Sequence, residues 1–353
     1  MAADLLRGLS PAQVDVVTSD AAPLAVVAGP GSGKTRVLTR RVAWRCRAGE
    51  VDPAHVLVLT FSRRAATELL DRLGRLGLPD AGRQAGVTAG TFHSVAWSEI
   101  ARHRAERHQP APAILGRPGR LLAPALAAVL GREPWRSEVA ATVAELGWAR
   151  RQGGDADRYP GLVRGSARQP PLPPEVVAEA WRGYERAKRS RRVLDLDDLL
   201  GECTRLLSED AEAAAAARWR YRHVFVDEYQ DLNPSHIRLL QAWVGGRPDV
   251  CLVGDPDQAV YGFNGASPDL FDRVSSDWPG VRILTLPENF RSTPEVVALA
   301  EAVRPTPAGA APATVCRADH PDSCIAGSPE PGRSRQPPGL LPSIAAHTDD
   351  RAE

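Results

Sequence analysis

Lysine is nearly missing from this chain. Of 44 basic side chains only Lys34 and Lys188 are lysines, and the rest are arginines. The bias reads as coding composition, which makes a lysine kept at position 34 more telling. No apolar run approaches the roughly 20 residues needed to cross a bilayer, so no membrane partner is expected. Met1 to Ser10 carry no secretory signal pattern, and a cytoplasmic location is the expectation. The cysteines, Cys46, Cys203, Cys251, Cys316 and Cys324, are scattered and odd in number, which argues against a disulfide framework. Cys316, His320 and Cys324 lack a fourth ligand, so they make no zinc site. No internal repeat is visible. The net charge of +1 predicts no polyanion partner by itself. Its distribution is more informative. Residues 96–195 carry 18 Lys+Arg against 11 Asp+Glu, leaving the rest of the chain acidic.

What is present starts with Val26-Val27-Ala28-Gly29-Pro30-Gly31-Ser32-Gly33-Lys34-Thr35. The apolar run from Leu24 reads as a buried strand, followed by a glycine-rich loop and a helix starting near Lys34. In such a loop the backbone N–H groups cradle phosphate oxygens, and the helix N-terminus adds a partial positive charge. Lys34 is expected to reach the β/γ-phosphates and Thr35 to hold Mg²⁺. Ala28 takes the place of the first glycine of the general pattern.

The length of 353 residues allows two or three domains. Ser10 and Pro11 open a short helix as N-cap and first residue. Apolar strands are expected at 24–27, 56–60, 87–93 (with its exit turn), 224–227, 250–253 and 281–286. Helices follow at 36–47 and 64–73. Strands alternating with helices imply an α/β fold with a parallel sheet covered on both faces, whose ligands gather at the carboxyl ends of the strands. From 96 to 195 the strand signals disappear. Helical stretches near 121–130, 137–150 and 175–189 read as an inserted all-helical subdomain. Residues 305–353 hold nine prolines and no Trp, Tyr or Phe, and are expected to be a disordered tail. The expected division is therefore 1–95 with 196–304, an insertion at 96–195, and the tail.

Three further stretches carry chemistry. Asp227 and Glu228 end the fourth strand, where Asp227 suits a Mg²⁺ partner and Glu228 a base for water attacking a γ-phosphate. Gln258, after the fifth strand, both donates and accepts hydrogen bonds, as a γ-phosphate sensor must. Tyr261 and Phe263 are candidates to stack on unpaired bases, with core packing as the alternative. Arg291, after the sixth strand, suits transition-state charge neutralisation, or the surface.

Together with Thr91-Phe92-His93-Ser94 and Asn289-Phe290-Arg291-Ser292, these stretches resemble, in order over residues 9–303, the N-terminal half of a UvrD/Rep-type superfamily 1 DNA helicase. The resemblance implies a RecA-like P-loop NTPase domain using ATP and Mg²⁺, of a lineage that moves 3′→5′ on single strands. It implies that Gln13 reads the adenine edge, that Arg36 and Phe290 flank the base, and that Lys34, Thr35, Asp227, Glu228, Gln258 and Arg291 surround phosphate and Mg²⁺. Thr60, Phe61, Ser62, Arg63, Thr91, Phe92, His93 and Phe263 match the family's single-strand contacts. Single-stranded DNA and duplex–single strand junctions are the implied partners, with the basic insertion also touching DNA. Phe290 stands where the family commonly has Tyr, and Asn264 where it commonly has Arg.

After about Val303 the family continues into a second RecA-like domain, whereas here the proline-rich segment resembles nothing in the family. The expectation is a chain that binds ATP weakly, hydrolyses it slowly at best and does not unwind alone, with the second lobe supplied by a separate chain or lost by truncation. The alternatives are a nucleotide- and DNA-binding regulatory module, and a small-molecule kinase, for which no acceptor pocket is legible.

Overall fold

Strands rich in Val and Leu need cover on both faces, and the crossover helices that join parallel strands provide it. The computed structural model describes residues 3–78, 86–259, 270–303 and 315–316. Its strands are β1 (Leu24–Ala28), β2 (Val56–Thr60), β3 (Thr88–Thr91), β4 (Ala113–Ile114), β5 (Val193–Leu194), β6 (His223–Val226), β7 (Val250–Gly254), β8 (Arg282–Leu286), β9 (Glu288–Asn289) and β10 (Val315–Cys316). Its helices are α1 (Pro11–Thr18), α2 (Lys34–Arg47), α3 (Arg63–Arg75), α4 (Phe92–Glu106), α5 (Gly119–Leu130), α6 (Arg136–Arg151), α7 (Tyr159–Arg164), α8 (Pro174–Arg191), α9 (Asp198–Glu209), α10 (Ala211–Arg220), α11 (Pro234–Val244), α12 (Val274–Asp277) and α13 (Pro294–Val303). Six strands form one parallel sheet in the order β3-β2-β6-β7-β1-β8.

Successive side chains of a strand point to opposite faces, and the two cores divide accordingly. Leu24, Val26, Val56, Val58, Phe225 and Val253 pack under α1, α2 and α3, where Val37, Leu38, Val42 and Ala43 point inward. Ala25, Leu57, Leu59, Val224, Val226 and Leu252 pack under α4, α9, α10 and α11. The insertion has a core of its own, with Leu122 and Leu126 of α5, Leu146 of α6, Tyr159 of α7 and Trp181 and Tyr184 of α8.

Three details differ from the expectations. The run 87–93 is strand only to Thr91. The Thr91 side chain accepts from Ser94 N at 3.2 Å and starts α4 at Phe92. α4 crosses residue 96, and its Ala96 and Ile100 belong to the sheet domain's core. Within 96–195, β4 and β5 pair in parallel across the neck of the insertion. Two residues each are too short for periodicity to reveal. The expected disordered segment lies outside the described residues apart from β10, which pairs with β9. Among the described residues no helix is long and apolar enough to cross a membrane.

Insertion and sheet domain are tied by a buried charge cluster. Lys188 Nζ of α8 donates to both carboxylate oxygens of Asp198 at 2.6 Å and lies 3.0 Å from Glu185 and 3.5 Å from Asp195. Arg150 of α6 reaches Glu185 at 2.6 Å, Asp195 at 2.8 Å and Asp198 at 3.2 Å. Tyr184 donates to Asp195 at 2.8 Å. Two cations hold three carboxylates, so losing one cation strands buried negative charge. Lys188→Met is expected to lower the unfolding free energy by about 3–5 kcal/mol, read from urea denaturation.

Candidate functional site

The loop between β1 and α2 is shaped by glycines that take a left-handed backbone. Gly31 has φ +71° and Gly33 φ +87°. A Cβ on Gly31 would stand 2.6 Å from Asn289 Oδ1 and 2.7 Å from Arg291 Cβ, so only glycine fits. Ser32 Oγ donates to Gly29 O at 2.7 Å and tightens the turn around Pro30. Lys34 Nζ donates to Ala28 O at 3.0 Å and Gly29 O at 3.4 Å, and lies 3.8 Å from Asp255. Gln13, 2% exposed, shares a capping box with Ser10 at the start of α1 and donates from Nε2 to Ser32 O at 2.8 Å. Arg41 of α2 fastens the other end of α1, donating to Val16 O at 2.9 Å and Ser19 O at 2.6 Å. Arg36 is half-buried on the first turn of α2.

Thr35 Oγ1 donates to Asp227 Oδ2 at 3.2 Å, joining α2 to the end of β6. Burial, then the neighbouring Glu228, pushes the Asp227 carboxyl up to about 6. Glu228 has φ +55°, a left-handed conformation uncommon for a non-glycine residue. Its Oε2 accepts from Gln230 Nε2 at 2.8 Å, and Gln230 Oε1 accepts from Asp255 N at 2.9 Å. Gly254 permits this bridge, because a Cβ there would stand 2.4 Å from Gln230 Oε1. Asp255 Oδ2 in turn accepts from Gln258 Nε2. Two oxygen donors, Thr35 and Asp227, thus face each other beside a phosphate-type cradle, a set that suits a hard divalent cation.

The segment after β8 closes over the loop. Phe290 N donates to Gly31 O at 3.0 Å. Asn289, 4% exposed, accepts from Arg291 N at 2.8 Å and Ser292 N at 2.9 Å. The Arg291 residue itself is exposed.

A second cleft, of about 230 Å³, opens beside the carboxyl ends of β2 and β3. It is lined by Thr60, Phe61, Thr91, Phe92, His93 and His236, with Arg151 and Asp197 arriving from the insertion side. Phe92 is 2% exposed and packs edge-on against His236 at 4.8 Å, so it forms the floor. Burial pulls the His236 imidazole down to about 3, with His93 next in effect, and His93 is itself lowered by burial. Ser62 caps α3 by accepting from Ala65 N, and Arg63 is exposed beside it. Tyr261 and Phe263, with Asn264, lie outside the described residues.

Several residues of this region escaped sequence reasoning. Gln230, Asp231 and Asp255 lie within four residues of Glu228 and Gln258, yet their links depend on strand adjacency. Asp231 is 8% exposed, its Oδ1 has no hydrogen-bond partner among the described residues, and burial pushes its carboxyl up to about 6. His236 gave no signal, since a histidine on an apolar helix face looks like any other.

A family model described as the UvrD/REP helicase N-terminal domain matches residues 9–123 and 164–279, and the stretch between lies within the insertion. The chain is similar to the ATP-dependent DNA helicase UvrD2 of Mycobacterium tuberculosis, with 33% identity covering 99% of this chain and 49% of that protein. It is similar to UvrD1 of the same organism at 32%, covering 85% of this chain and 39% of that protein. The putative ATP-dependent DNA helicase YjcD of Bacillus subtilis is 30% identical over 84% of this chain and 38% of its own length. The chain spans about half the length of UvrD2 and less of the others. The UvrD2 alignment runs on through the residues after 303, which corrects the expectation that this segment resembles nothing in the family.

The buried carboxylates give the site a pH signature. Asp227 rises from an ordinary 3.8 to about 6 on folding. Between those values the folded state holds a proton that the unfolded state has lost, so stability falls as pH rises through the window. Asp227→Asn is expected to raise the unfolding free energy by about 3 kcal/mol at pH 8, with the gain vanishing below about pH 4. Urea denaturation at the two pH values measures the difference.

Proposed function

As the chain belongs to the UvrD/REP helicase N-terminal domain family, we propose that the crevice around Lys34 binds ATP with Mg²⁺ and hydrolyses it, and that the adjoining cleft holds single-stranded DNA. The observation that carries this reading is the convergence of Thr35, Asp227 and Lys34 with Asp255 at the carboxyl ends of β1, β6 and β7. Lys34 exchanges the carbonyls of Ala28 and Gly29 for phosphate oxygens. Gly29 to Gly33 offer N–H groups to the same phosphates. Gln13 recognises the adenine edge, and Arg36 and Phe290 enclose the base. Glu228, held by Gln230, orients the attacking water and accepts its proton. Gln258 leaves Asp255 to contact the γ-phosphate, and Arg291 neutralises charge that develops on it.

Thr35 and Asp227 fit Mg²⁺, since a cation there would offset the cost of burying the ionised Asp227 carboxylate. When bound, Mg²⁺ neutralises charge on the transferring phosphoryl group. Phe61 and His93 offer aromatic surface to bases, with Thr60, Thr91, Ser62 and Arg63 toward the backbone. The residues 96–195 form a basic insertion that extends this contact to duplex junctions. A second RecA-like lobe, in the same polypeptide or on a separate chain, encloses the nucleotide from the other side, and 3′→5′ unwinding belongs to the two lobes together.

The experiment is ATP hydrolysis by the chain with and without oligo(dT). Hydrolysis is expected to be slow and DNA-stimulated, and to fall about 10²-fold in Lys34→Ala. Phe61→Ala is expected to raise the DNA concentration for half-stimulation by about tenfold, the scale of one lost stacking contact. Binding of both ligands without turnover would leave a regulatory module. No nucleotide binding at all would overturn the reading.

A further inference from the structure

A separate charged surface lies at the opposite pole of the sheet. α10 ends at Arg220, β6 begins at His223 and β7 at Val250, so the segments before both strands meet at their amino ends. Three half-buried arginines, Arg218, Arg222 and Arg247, gather there. Arg218 lies over the turn at Gly245, where a Cβ would stand 2.7 Å from its Nε, and donates to Ala242 O at 3.1 Å. Arg247 donates to Tyr221 O at 3.4 Å. The Arg222 guanidinium stands 3.4 Å from the ring centroid of Trp219. That indole is 62% exposed and meets His55 edge-on at 5.5 Å.

Each arginine is thus fixed by a neutral contact. Among the described residues none of the three has an ion-pair partner. The nearby carboxylate, Asp249, is occupied by Arg45 at 2.7 Å and His223 at 2.6 Å. Burial, then Arg222 and Arg218, pull the Arg247 guanidinium below its ordinary value, as expected for like charges held together. Ordered N–H donors without a counter-charge attract an anion.

We propose that this pole docks an acidic peptide segment of a partner protein, with carboxylates among Arg218, Arg222 and Arg247 and an apolar side chain on the open face of Trp219. Tryptophan and arginine are the residues that carry most binding energy at protein interfaces. A nucleic-acid backbone fits less well. It needs a basic track that neutralises successive phosphates, whereas this cluster is three arginines gathered at one spot with the Asp249 carboxylate beside it. The surface also lies away from the P-loop, so its occupancy can be varied without touching the crevice.

The test uses the full chain and a fluorescein-labelled peptide of aspartates interrupted by phenylalanines, followed by fluorescence anisotropy. Saturable binding that weakens with salt is expected, and is expected to be absent for the same peptide with lysines replacing the aspartates. Arg222→Glu and Arg247→Glu should each weaken it at least tenfold. Trp219→Ala, at an exposed position that need not disturb folding, should also weaken it, with the thermal midpoint and ATP hydrolysis unchanged. Equal binding by all variants would overturn the proposal. So would displacement of the peptide by oligo(dT) that itself loses affinity in Arg222→Glu, which would assign the surface to nucleic acid.

Discussion

The bond from the Thr35 hydroxyl to the Asp227 carboxylate spans 192 residues of sequence and 3.2 Å of space. It depends on strand order. β7 lies between β1 and β6, pairing Val27 with Gly254 on one side and Val226 with Leu252 on the other. The three strands therefore end at nearly one height, and the loops after them share one crevice. Gly254 lets Gln230 cross beneath, and Gly31 lets the segment after β8 close from the other side. A side chain at either glycine would push apart elements whose only common feature is this crevice.

That arrangement works against stability. Asp227 and Asp231 are both buried, and burial raises both carboxyls to about 6. Ionised at neutral pH, they cost folding free energy that the two apolar layers on the sheet offset. A divalent cation held there, as proposed, would offset that cost, linking its binding to stability at the same atoms. Glu228 adds its left-handed backbone, a local strain held in place by the Gln230 bridge.

The sheet and the glycine-rich loop between β1 and α2 were legible because their signals are local. Apolar runs bounded by glycine give strands, and a Gly-rich loop before Lys34 gives a cradle wherever strand and helix flank it. Ser10 with Pro11 announced α1 by capping chemistry alone. What stayed hidden is set by distance along the chain. Gln230 meets Asp255 only because β6 and β7 are neighbours, and Asn289 caps Arg291 against a loop more than two hundred residues earlier. The aromatic cleft needed His236 from α11, a position with no sequence pattern of its own. The β4–β5 pair failed for another reason, since two residues carry no period.

The two lysines show what composition concealed. In a chain that uses arginine almost everywhere, lysine is kept where a compact ammonium fits and a planar fork does not. Lys34 Nζ sits between the carbonyls of Ala28 and Gly29 and the carboxylate of Asp255. Lys188 Nζ sits among Asp198, Glu185 and Asp195, 4.8 Å from the Tyr184 ring. Both need a point charge with donors free to turn in several directions. One stands in the crevice at the carboxyl ends of β1 and β7, the other at the joint between insertion and sheet. The joint matters to the cleft, because Arg150 in the charge cluster adjoins Arg151, and Asp195 adjoins the loop of Asp197, both of which line the cleft. Two residues of the cleft wall, Arg151 and Asp197, thus sit next in sequence to buried charge pairs that join insertion and sheet.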